Sequence, residues 1–114
     1  MTDELRKTLR HEFEAEEGSF LLQLRCELTW DRDAFERLAS AMQACCVALE
    51  DADTVERWLA NGFWFIPAFI RGWATHENFS RPYEATYYEE AFQRLDDLAY
   101  WFFFAENPRL GNGK

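Results

Sequence analysis

Histidine and lysine are nearly missing from this chain: His11 and His76 are its only imidazoles, and Lys7 and Lys114 its only lysines. Helical bundles can house paired metals on Glu-x-x-His repeats. Here neither histidine is followed or preceded by a glutamate at that spacing on an inward face, so no metal is expected. Glycine is scarce too, and no GxGxxG, phosphate-binding loop, HExxH or calcium-loop pattern occurs. The few serines lack an elbow-type glycine pattern, and no cysteine has a histidine near it in sequence. An acid pair such as Glu90 and Asp97 would point to solvent, where carboxylates keep ordinary pKa values. The sequence therefore predicts neither an enzyme nor a bound cofactor.

Cys26, Cys45 and Cys46 are odd in number and lack CxxC spacing. Adjacent cysteines on a helix diverge by about 100° and do not bridge each other. Reduced, buried thiols are expected. No apolar segment follows MTDELRK, so no signal peptide is expected and the location is read as cytoplasmic. A membrane helix needs about 20 apolar residues. The longest candidate is interrupted by Asn61 and closed by Arg57 and Arg71, which argues against a span.

Basic charge is also short: 12 Lys and Arg against 21 Asp and Glu, a net charge of −9. Residues 1–57 hold 14 acids and 7 bases, and so carry −7 of it. That balance argues against nucleic acid and anionic membranes as partners and suits a basic protein.

What the chain has is apolar and aromatic surface, 48% and 18% of its residues. One domain over residues 1–107 is expected, with 108–114 as a flexible C-terminal tail. The densest run is DTVERWLANGFWFIPAFIRGWATH, residues 53–76. Asp53 and Glu56 resemble a capping box. From there Val55, Leu59, Gly62, Ile66, Phe69 and Trp73 step by threes and fours, with Trp58, Phe63, Phe65 and Ile70 widening the face. A helix apolar nearly all round belongs in the buried middle of a bundle. Pro67 removes a backbone donor and predicts a kink, or a break at Phe65–Ile66 with a second helix starting at Pro67. The remaining side carries Arg57, Asn61, Trp64, Ala68, Arg71 and Thr75.

The other segments frame that one. Residues 3–17 place Leu5, Leu9 and Phe13 on a narrow helical stripe, and Glu12, Glu14, Glu16 and Glu17 sit at its electrostatically poor end. Residues 20–28 fit either a helix or an alternating strand. Helix is preferred, since a lone strand needs a partner and an isolated hairpin over 9–28 is marginal. Trp30 and Asp31 open a helix through residue 50, Asp31 as cap and Trp30 stapling onto Phe35. The acidic turn 50–53 should make that helix an antiparallel neighbour of the central one. Residues 83–105, with Pro82 in the first turn, form the last helix and end in an aromatic turn, Tyr100 to Phe104.

The expected fold is thus all-α: four main helices packed around a kinked central helix, 54–75, with a further helix or a hairpin at 20–28. Sixteen of the 20 aromatic residues lie in 58–104. One small core cannot easily hide them all, so some should line a groove, a pocket or an oligomer interface. Binding is expected at two places: the acids Glu12, Glu14, Glu16 and Glu17, and the helix side bearing Arg57, Asn61, Trp64 and Arg71. The turn around Trp101 and Phe104 is the reserve candidate. Function is read as a small acidic protein, monomer or homodimer, that neutralises or regulates a basic one, as a bacterial immunity protein or antitoxin does. The alternatives are a ligand-binding module with an aromatic pocket near Pro67, and an enzyme with dispersed residues.

Overall fold

Three of the helices start where a short polar side chain is at hand to take an orphan amide. In the computed structural model, which describes residues 1–111, Thr2 Oγ1 accepts from the Leu5 amide at 3.1 Å and opens α1, Asp3–Phe13. Ser19 caps α2, Phe20–Glu27, through the Leu22 amide. Asp31 Oδ1 takes the amides of Asp33 and Ala34 at 3.0 and 3.1 Å and opens α3, Arg32–Ala48. The next two helices, α4 (Arg57–Ala74) and α5 (Ala85–Phe104), begin after Glu56 and Glu84 with no side-chain cap. A single turn, α6, covers Pro108–Gly111. Among the described residues there is no strand, so 20–28 is helical and the hairpin reading falls away. Residues 112–114, the end of the expected tail, lie outside the described residues; 108–111 form the α6 turn.

Several boundaries differ from the sequence reading. The capping box at Asp53 is not used: the chain stays non-helical through Glu56, whose carboxylate is taken by Arg6 of α1 and by Trp58 Nε1 at 2.9 Å. Those two donors hold the Glu56 carboxyl below the usual carboxylate range, Arg6 being the larger cause. Val55 therefore lies off the helix and is exposed. Nor does Pro82 open α5, since it precedes the first helical residue by three. Helix α1 stops at Phe13, ahead of most of its acidic end, and Ala15 turns the chain with φ +54°.

Packing runs through α5, which lies against α4 on one side and α3 on the other. The expected pairing of α3 with α4 is not among the main helix contacts of the described residues. With α4 starting only at Arg57, the connection is longer than the four-residue turn that would have forced them together. Instead α1 packs on α3, and α2 bridges α3 and α4. Trp30 sits at the hub of an aromatic cluster, with ring centroids 4.9 Å from Phe20, 5.2 Å from Phe35 and 5.2 Å from Tyr88. Its Nε1 donates to Tyr87 Oη at 2.9 Å, which satisfies the one polar atom such a burial would strand. Close approach also fixes the α1–α4 crossing. A Cβ built at Gly62 would lie 2.2 Å from the Phe13 ring, so only glycine lets that ring lie on the helix backbone.

Cys45 and Cys46 are buried between helices, while Cys26 is exposed. Burial pushes the Cys45 thiol up to about 11 and raises Cys46 further. Among the described residues no helix is long and apolar enough to cross a membrane.

Two outcomes follow from this packing. Trp30→Ala should cost about 3–5 kcal/mol in denaturant melts, the range for emptying a large buried aromatic site; a loss under about 0.5 kcal/mol would place Trp30 on the surface. A neutral-pH thiol reagent should label Cys26 alone in the native protein, with Cys45 and Cys46 reacting only on unfolding.

Candidate functional site

Helix α4 can bury only one arc of its circumference, and the chain places apolar side chains on the other arc as well. The buried arc is Leu59, Phe63, Ile66, Ile70 and Ala74, with Gly62 and Pro67. The helix runs unbroken through Pro67, which excludes the break at Phe65–Ile66. Phe63 lies flat on Phe102 of α5, centroids 4.2 Å apart and planes within 6°, and this stack sets the rotation of α4. The expected core stripe was turned part of the way round: Phe69 and Trp73 are only half-buried. Seven of the 18 residues of α4 are exposed, so it is not the helix buried on all sides that its composition suggested.

The open arc is Arg57, Asn61, Trp64, Phe65, Ala68, Arg71 and Gly72. Trp64 is 76% exposed, a value far outside the norm for tryptophan. Among the described residues no loop or arm covers it. Alongside it α5 presents Tyr100, Phe103 and Phe104, exposed by 42, 49 and 66%. Together with Ala68, Pro67 and Ala99 these rings line an open groove of about 350 Å³ between the two helices. Tyr100 stacks on Phe104 at 4.5 Å, which holds both rings up from the helix surface. At the far end Arg71 donates to Asp96 Oδ2 at 3.0 Å and lies 5.1 Å over the Phe92 ring. On the other flank of α4, Phe65 and Phe69 pack at 4.9 Å beside a second hollow of about 260 Å³, lined by Phe69, Gly72, Trp73 and His76.

This arrangement joins two regions the sequence kept apart. Arg57, Asn61, Trp64 and Arg71 do share one exposed side, and Phe104 belongs to the same surface. Trp101 does not. It turns inward, buried, with Nε1 donating to Glu50 at 3.1 Å. Tyr100 and Phe103 were not singled out by the sequence reading as contact residues, and Phe65, expected to widen the buried face, is exposed instead. Tyr100 and Phe103 follow Asp96 at four and seven residues, so they continue the outward phase of the acids on α5, and that signal was present.

The acidic quartet, by contrast, comes apart. Glu12 is fully buried and is no contact residue. Its Oε1 accepts from the Phe20 amide at 3.1 Å and its Oε2 from Arg37 Nε at 3.0 Å, while Arg37 also donates to the Gly18 carbonyl at 2.8 Å. One carboxylate thus ties α1, α3 and the first amide of α2 together. The signal was again available, since Glu12 follows Leu9 by three on the inward stripe. Glu14 pairs with Arg10 at 3.0 Å and Glu16 with His11 at 3.3 Å; Glu17 is exposed. None of these lines the aromatic groove.

Two further hollows are ringed by charge. One, of about 460 Å³, lies among Glu90, Arg94, Asp97 and Arg109, and the other, of about 640 Å³, among Arg6, Lys7, Arg10 and His11. Most of these side chains are already engaged in ion pairs. Among the described residues no group of three or more His, Cys, Asp or Glu is placed to hold a metal ion. No protein-family model matches the chain, and no match to it is found among the curated proteins or the solved structures.

The two kinds of acid should separate in a stability assay. Glu12→Ala strands the buried Phe20 amide and should cost about 1–3 kcal/mol. Glu12→Gln, which keeps an acceptor oxygen, should cost less. Replacing Glu14, Glu16 and Glu17 together with Gln should stay within about 0.5 kcal/mol of the parent. Equal losses for Glu12→Ala and the triple variant would contradict a structural role for Glu12.

Proposed function

We propose that this chain is a small acidic protein-binding module whose docking surface is the aromatic face of α4 and α5. The observation that carries this reading is Trp64, 76% exposed at the centre of a face that also holds Tyr100, Phe103 and Phe104. Monomeric proteins seldom leave large rings contiguous and uncovered. Tryptophan, tyrosine and arginine dominate the energetics of interfaces when they are desolvated at the centre of a contact. The groove beside Trp64 supplies the complementary depression, and the Arg71–Asp96 pair gives the rim a polar end.

The partner is a basic protein. A net charge of −9 draws a cationic surface in from a distance and raises the association rate, an effect that salt weakens. The rings then set the lifetime of the complex. The concrete form is an immunity protein or antitoxin of bacterial type, in which a small acidic chain blocks a basic one. The groove also suits a small apolar ligand, because its volume lies within the range of about 300–1,000 Å³ typical of such sites. It offers only one ion pair to orient a ligand, and its rings stand at the rim, so a protein segment fits it better.

The two roles are separable in kinetics against the partner, for example a basic protein encoded beside this one. Trp64→Ala should speed dissociation by a factor worth about 2 kcal/mol or more, with helicity and melting temperature unchanged. Replacing Glu14, Glu16 and Glu17 with Gln should slow association and flatten its salt dependence, leaving dissociation alone. A genuine partner whose affinity neither change moves would show that it docks elsewhere.

A further inference from the structure

We draw no further inference here: the strongest candidate, the hollow of about 460 Å³ between α3 and α5, is ringed by Arg94, Asp97 and Arg109, whose charges are already paired with Glu36 or with one another, and nothing in the structure shows what it would hold.

Discussion

The contact on which the molecule's outward character depends is the flat stack of Phe63 on Phe102. Helix α4 is apolar on more than one arc, so hydrophobicity alone leaves its rotation nearly undecided. Two stacked rings with centroids 4.2 Å apart remove that freedom, because turning α4 in either direction separates them. Leu59, Ile66, Ile70 and Ala74 then face inward with Phe63, and Trp64 is forced out one position further round the helix. The exposed tryptophan is thus the far side of a choice made in the core. Gly62 acts in the same direction, since its missing Cβ admits the Phe13 ring and prevents α4 from sliding along α1.

A second constraint is polar and joins α1, α2 and α3. Burying a carboxylate is unfavourable unless it is paired and its oxygens find donors. Glu12 meets this with the Phe20 amide and the Arg37 guanidinium. The arrangement also resolves the abrupt stop of α1. A helix continued through Glu14–Glu17 would stack acids on a negative helix terminus; ending it at Phe13 lets Glu12 accept the first amide of α2, beside the Ser19 cap. Net acidity and local structure are therefore distinct matters in this chain. The sites that hold the fold are pairs and stacks, and the charge surplus lies on carboxylates left outside them.

Sequence periodicity was enough to place α3, with its Asp31 cap and the Trp30–Phe35 staple, because a short side chain and a fixed spacing determine that start locally. It also favoured a helix at 20–28, where Ser19 provides the cap. It misread the start of α4, since nothing near Asp53 reveals that Glu56 is held by Arg6, fifty residues away. The candidate face was half legible. Trp64 stood out from its polar neighbours, and the surplus of rings required some to be uncovered. Which rings, however, depended on the rotation of α4 and α5 about their axes, a tertiary choice made by the Phe63–Phe102 contact. Trp101 and Phe104 illustrate the limit: they are three residues apart in one aromatic run, yet one is buried against Glu50 and the other open to water.

The central claim is that the α4–α5 aromatic face is open in the isolated chain and is the surface a protein partner would cover. Hydroxyl-radical footprinting with residue-level readout measures this directly. In dilute protein Trp64 and Phe104 should react fastest, with Trp30 and Trp101 protected. Adding a basic protein partner should protect Trp64, Tyr100 and Phe104 together while leaving exposed side chains elsewhere, such as Val47, unchanged. Protection of Trp64 in the free protein, or equal reactivity of Trp64 in free and partner-bound protein, would contradict the account.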